Sequence, residues 1–239
     1  MECKQLDFND PATYDNAFRG MKSMFLRRPA KVSQVSDMKR LLLAAKQAGV
    51  KKIVYLSLLG SEKMPFLPDR KIEKLIMNMG FEFTFLRSSF FMQNLLTQHL
   101  EDIRDHHQIY VPAGNGKLSF IDARDVAEIA FLSLIHTGFQ NNSFKLTGSQ
   151  SLTYYEVAKI LSEELDFNVN YINPTKHEFL KRCKQRGLSD AHTSLLANTY
   201  TAAKNGFFKR MRLDSRRILQ RDPRCLWEFV RGYKSIFSY

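Results

Sequence analysis

Cysteine is scarce. The chain of 239 residues has three, Cys3, Cys183 and Cys225, an odd number at wide spacing. That excludes a disulfide framework and paired metal-ligand motifs, and it suits a reducing, cytoplasmic setting. Long apolar runs are missing too, so no membrane span is expected. The N-terminus shows no apolar signal core, and Asp7 and Asp10 argue against a transit peptide. Glycine occurs eleven times but never in a phosphate-cradling pattern. Gly114 and Gly116 stand two apart, yet Ser119 occupies the third position and no helix follows directly. Walker spacing, repeats and low-complexity tracts are also absent.

What is present suffices for a packed core, with 44% hydrophobic and 25% charged residues. The formal net charge is +12, and the excess gathers late, in "KNGFFKRMRLDSRRILQRDPR". Such a run is either a phosphate-binding face or a solvated lobe surface. No helix-turn-helix or aromatic-interleaved signature accompanies it, so a nucleic-acid partner is not expected.

Strand and helix signals alternate along the first 149 residues. "MKSMFL", "VKKIVYLSLLG" and "FEFTFL" read as strands. Between them, Val35, Met38, Leu41, Leu42 and Ala45 mark one helical face, and Ile72, Leu75, Ile76 and Met79 mark another. Phe91 to about Asp105 reads as one helix, and Asp122 opens another that runs to Leu134. This order predicts an α/β fold, a parallel sheet with helices on both faces. From residue 150 to 239 the pattern becomes a mostly helical lobe. Capping boxes at Thr153/Glu156 and Thr175/Glu178 start two of its helices, and further helices are expected at about 189–205 and 225–238. The expected division is a core over 1–149 and a lid or substrate lobe over 150–239.

In an open parallel sheet, ligands sit outside the carboxyl ends of the strands. Three loops there carry polar chemistry. "FLRRP" places Arg27 and Arg28 at one strand end, as phosphate or ribose ligands or as plain surface arginines. "LSLLG" ends the most apolar strand with Ser57, which either faces a ligand or is bonded locally. "LRSSFFMQN" combines Arg87, Ser88, Ser89, Phe90, Phe91 and Asn94, as a small-molecule pocket wall or as core plus a serine helix cap. His99, Asp102 and His106 share helical spacing, but no second cluster completes a metal site, so none is expected. Asp122 and Asp125 sit at a helix start, where capping is the better reading.

"SFIDARDVAEIA", "LRSSFFMQN", "LSLLGSEK" and "RKIEKLI", with "LTYYEVAKILSEEL" and "LWEFVRGY", together resemble the NmrA-like family, atypical members of the short-chain dehydrogenase/reductase superfamily. The resemblance runs through essentially the whole chain. It implies a Rossmann-like core that binds NAD(P)(H), with NADP(H) preferred, and an oxidoreductase of the quinone-reductase type acting on a small acceptor such as a quinone. The alternative it leaves is a non-catalytic regulator that senses the dinucleotide, or a protein-interaction module. By the same resemblance, Arg28 and Pro29 lie near the cofactor's phosphates or ribose, and Ser57 beside the nicotinamide half. Ser88, Ser89 and Phe90 border the cofactor, and Phe91 and Asn94 border the substrate. The superfamily's Tyr-x-x-x-Lys has no counterpart, since Pro65 and Asp69 stand at those positions, and Ser88 replaces a usual proline. No proton donor is identified.

One further expectation concerns the opening residues. "CKQLDF" reads as the end of a strand, with Cys3, Gln5 and Asp7 on one side and Lys4, Leu6 and Phe8 on the other. Asp10 and Pro11 then start a short helix that Gly20 ends. Relatives carry a strand, a glycine loop, a helix and a second strand before this point. The chain is therefore expected to begin inside the fold, N-terminally incomplete, with an impaired cofactor site. The missing strands would leave a gap of about 14 Å. "MFL" would become an exposed edge open to a second copy of the chain.

Overall fold

The computed structural model describes residues 3–29 and 35–238. Contacts divide the chain into two compact units, Met1–Ser88 with Val126–Leu146, and Ser89–Asp125 with Thr147–Tyr239.

In the first unit, a 3-10 turn at Pro11–Thr13 leads into α1 (Tyr14–Phe18). The carboxylate of Asp10 caps the turn, accepting the Ala12 N–H at 3.0 Å. Four parallel strands follow, β1 (Ser23–Arg27), β2 (Lys52–Leu58), β3 (Glu82–Ser88) and, later in the chain, β5 (Asn142–Leu146). Their order is β1-β2-β3-β5. Helix α2 (Val35–Gln47) links β1 to β2, and α3 (Pro68–Asn78) links β2 to β3. This is the parallel sheet that the alternating pattern predicts, Rossmann-like as the resemblance implies.

Register explains the core. Leu26 lies beside Tyr55, and Tyr55 beside Phe85, so the three form a row on one sheet face. Against that row pack Met38, Leu41, Leu42 and Ala45 of α2 and Ile72 and Ile76 of α3, all fully buried. Their three- and four-residue spacing is what aims them at one face. Lys52 is itself buried, and its ammonium donates to the carbonyls of Leu134 (3.4 Å) and His136 (3.2 Å). A cation there meets the negative end of the helix Ala123–Ile135.

The opening segment departs from the strand expectation. Lys4, Leu6 and Phe8 are half-buried and Cys3, Gln5 and Asp7 exposed, as the alternation suggests, but residues 3–7 form no strand. Alternation fixes which side chains turn inward, whereas a strand also needs a hydrogen-bonding neighbour. Among the described residues β1 pairs only with β2. Its outer side borders a groove of about 580 Å³ lined by Leu6, Phe8, Phe18, Met24 and Phe25.

The second unit contains α4 (Leu100–His106), β4 (Gln108–Tyr110), the first residues of α5 (Ala123–Ile135), α6 (Tyr154–Leu165) and β6 (Asn170–Ile172). After these come α7 (Lys176–Gln185), α8 (Asp190–Lys204), α9 (Asp214–Leu219), α10 (Leu226–Gly232) and α11 (Lys234–Phe237). Both expected capping boxes form. Tyr154 is the centre of this unit. Its ring lies 5.7 Å from Phe120, 5.7 Å from Tyr171, 6.1 Å from Tyr200 and 6.2 Å from His99.

Two expected helices are broken. Phe91 to Asp105 becomes a 3-10 turn at Met92–Leu96 followed by α4, because Met92 N–H donates to Ile121 O (2.9 Å) and the Gln93 side chain bonds Asp122 and Ala123. Residues 225–238 split at Tyr233 into α10 and α11. Among the described residues no helix is long and apolar enough to cross a membrane.

Candidate functional site

The carboxyl ends of β1, β2 and β3 are tied together by two acids on α3. Asp69 and Glu73 are four residues apart, so they share one helical face. Asp69 faces the end of β1, where its carboxylate lies 3.6 Å from the Arg28 guanidinium and accepts the Tyr55 hydroxyl at 3.0 Å. Tyr55 is fully buried. Burial, then the neighbouring Asp69 charge, raise its pKa, so the phenol stays protonated.

Glu73 faces the ends of β2 and β3 and is wholly buried. Ser57 Oγ donates to its Oε1 at 2.7 Å and Ser61 Oγ at 3.1 Å. Arg87 adds a two-pronged contact, Nε at 2.9 Å and Nη2 at 2.8 Å, and Arg70 Nη1 lies at 2.8 Å. Burial alone would push this carboxyl's pKa up. The hydrogen bonds from Arg87, Ser57 and Arg70 outweigh it and hold the group below the usual glutamate range. Glu62 extends the network, 2.8 Å from Lys145 Nζ and 3.6 Å from Arg87.

The residues singled out in the sequence fall as follows. Arg28, Ser57 and Ser88 belong to the first unit, at the ends of β1, β2 and β3. The Ser57 hydroxyl is bonded locally, to Glu73. Pro29 follows Arg28, partly buried. Ser89, Phe90, Phe91 and Asn94 belong to the second unit. Ser89 Oγ lies 3.2 Å from Ser119 Oγ, and no serine caps the following turn, whose N-cap is Phe91. Phe90 packs edge-on against Phe208 and Phe120. Asn94 is half-buried, its carbonyl accepting the N–H of Gln98 at 2.9 Å.

Glu73 and Tyr55 escaped the sequence reading. The one signal for Glu73 was its place between Ile72 and Ile76 on the buried side of a helix, where an acid demands partners. For Tyr55 there was none, since a tyrosine in an apolar strand reads as core.

Asp122, Asp125, Asp102 and His99 are committed elsewhere, and His106 is exposed. Asp122 accepts the Arg124 N–H at 2.8 Å, as a cap does, and pairs with the same residue's guanidinium. Asp125 differs from the capping expectation. It is fully buried and holds Arg221 at 2.9 Å, the Arg224 N–H at 2.7 Å and the Arg224 guanidinium. A carboxylate so enclosed needs cations more than a helix end. Asp102 is held by Arg182 and Arg186 beside a cavity of about 100 Å³. His99 is buried next to it, its Nε2 3.1 Å from the Tyr200 hydroxyl, and burial lowers its pKa to about 4.

The family model described as the NmrA-like family matches residues 2–236. An NAD(P)H azoreductase from Xenophilus azovorans is 29% identical over 241 residues, which cover 97% of this chain and 82% of that protein. Quinone oxidoreductase 2 of Escherichia coli strain K12 is 29% identical over 208 residues, 85% of this chain and 72% of that protein. A crystal structure of NADPH-dependent quinone oxidoreductase from Escherichia coli, complexed with NADPH, superposes with a TM-score of 0.85 at 25% identity. It covers 96% of this chain and 82% of that one.

Two outcomes test these assignments. Glu73→Gln leaves Arg87 and Arg70 facing a neutral amide, and equilibrium urea unfolding is expected to show a loss of about 3–5 kcal/mol. A loss below about 1 kcal/mol would mean the network carries little. For His99, the unfolded imidazole takes up a proton near pH 6.5 and the folded one only near 4. The unfolded state therefore binds more protons between those values, and stability falls as pH drops through that window, by roughly 3 kcal/mol at most. His99→Gln should flatten that slope in urea titrations run across the window; an unchanged slope would assign it to other groups.

Proposed function

The chain belongs to the NmrA-like family, and from that premise we propose that it is an NAD(P)H-dependent oxidoreductase reducing a quinone or a similar planar, conjugated acceptor. The observation that carries the reading is the polar network that Asp69 and Glu73 hold at the carboxyl ends of a parallel sheet, where such folds receive their ligands. The similarity to an azoreductase and a quinone oxidoreductase supports the reaction class. The NADPH in the related complex supports the cofactor.

The residues present fit that cofactor unevenly. Arg28, braced by Asp69, offers a guanidinium suited to phosphate or ribose oxygens. Ser57 and Ser88 stand at neighbouring strand ends, where we assign them to the nicotinamide side. The pyrophosphate is served less well. Two glycines, Gly116 and Gly148, leave room for a close backbone approach, and both approaches are made by the protein itself. An added Cβ would lie 2.3 Å from Ala203 O and 1.9 Å from Phe120 O. The sequence has no G-x-G-x-x-G turn to supply another cradle. We therefore propose that these 239 residues hold NADP(H) weakly, through the strand ends. When bound, the group would supply a hydride; the residues described orient it and shield it from water.

A second reading is a dinucleotide-sensing regulator without turnover. Tyr55 favours it, because the phenol at the strand ends is buried, committed to Asp69 and pushed away from any pKa useful to an acid catalyst. Within the second unit, we assign the small acceptor to Phe91 and Asn94, and Ser89 and Phe90 to the cofactor.

Loss of reduced-nicotinamide absorbance with benzoquinone and naphthoquinone acceptors tests the choice. Quinone-dependent consumption of NADPH is expected, with Arg28→Ala raising KM for NADPH roughly tenfold or more and moving kcat less. Saturable NADPH binding with no consumption across the panel would remove the enzyme reading in favour of the sensor.

A further inference from the structure

Residues 204–224 contain eight lysines and arginines against two aspartates, half of the chain's net +12. Some of that charge is neutralised locally. Arg216 pairs with Asp222 at 3.1 Å, and Arg221 and Arg224 hold Asp125. Among the described residues no carboxylate pairs with Lys209, Arg210 or Arg217, and all three are exposed.

The same stretch displays apolar side chains. Phe207, Met211 and Leu213 are 40%, 54% and 58% exposed. Exposure on a loose loop would mean little, but this loop is pinned through its backbone. Phe208 O accepts from the N–H and the hydroxyl of Ser119, both at 3.0 Å, and Lys209 O accepts from Ser151 Oγ at 2.8 Å. Arg212 N–H donates to Thr147 Oγ1 at 2.8 Å, and the Thr147 hydroxyl returns a bond to Arg212 O at 3.3 Å. Phe208 is buried while its neighbour Phe207 is not. The main chain is thus spent on the unit beneath, and Met211 and Leu213, either side of the anchored Arg212, are turned out beside cations. A groove of about 560 Å³ adjoins them, lined by Leu213, Arg216, Arg217, Gln220, Arg221 and Asp222.

We propose that residues 207–217 dock the protein on an anionic lipid surface. Unpaired cations draw the face to acidic headgroups, and Phe207, Met211 and Leu213 enter the boundary between headgroups and acyl chains. The groove beside Leu213 takes a headgroup phosphate. A nucleic acid would satisfy the cations but give Met211 and Leu213 nothing to bury against, which is why a bilayer is the better complement. The inference is independent of the reductase reading, since it uses no residue of the strand-end network.

Co-sedimentation of the full chain with unilamellar vesicles tests it, using phosphatidylcholine alone and phosphatidylcholine mixed with phosphatidylserine. Binding is expected only with phosphatidylserine present, weakening as salt is raised. Arg210→Glu with Arg217→Glu should lower the bound fraction roughly tenfold or more. Met211→Ser with Leu213→Ser should lower it about threefold or more, with circular dichroism and Tm unchanged because all four side chains are exposed. The proposal is overturned if phosphatidylserine vesicles are not bound, if neutral vesicles bind equally, or if neither double variant weakens binding. It is also overturned if duplex DNA is bound through Arg210 and Arg217 while vesicles are ignored.

Discussion

A carboxylate buried without water must find its counter-charges inside the protein, and in this chain that requirement organises the sheet edge. Glu73 projects from α3 into the space beyond β2 and β3 and collects Arg87, Arg70, Ser57 and Ser61. Because Ser57 and Arg87 are register partners on adjacent strands, one carboxylate fixes both strand ends and the helix that joins them. Asp69, one turn earlier, gathers Arg28 just after β1 and Tyr55 in the middle of β2. The arrangement costs desolvation energy that an apolar core would avoid. What it gains is a sheet edge whose polar side chains are held in fixed positions by one another.

The two units solve their packing differently. The first relies on aliphatic layers, Met38, Leu41 and Leu42 against the Leu26–Tyr55–Phe85 row. The second is knitted by aromatic rings around Tyr154 and by buried ion pairs at Asp102 and Asp125. The strongly basic stretch follows from this. Several of its arginines serve Asp125 or Asp222, while Arg210 and Arg217, with Met211 and Leu213, are exposed on a stretch whose backbone Thr147 and Ser119 anchor.

Much of this was legible in the sequence, for identifiable reasons. Helix faces such as Val35–Ala45 and the two threonine capping boxes are local patterns with local causes, and they formed as expected. Parallel pairing followed from alternation of strand and helix. The failures share one cause, namely long-range partners. "CKQLDF" has strand periodicity, yet residues 3–7 form no strand. The helix expected from Phe91 breaks because Gln93 and Met92 are claimed by residues 121–123. Ser57 and Arg28 were found as strand-end residues, but the acids that position them lie four residues apart in "DRKIEK", where only Glu73, between Ile72 and Ile76, carries a local sign of burial.

On the proposed reading, grip on a dinucleotide comes from the α3-braced strand ends and hardly at all from a pyrophosphate cradle. Isothermal titration of the chain with NADPH and, separately, with reduced nicotinamide mononucleotide tests it most directly. The account expects dissociation constants within roughly tenfold of each other, since one charge-assisted contact is worth about that much. NADPH binding a thousandfold or so tighter than the mononucleotide would mean the pyrophosphate half is firmly held, and would contradict it.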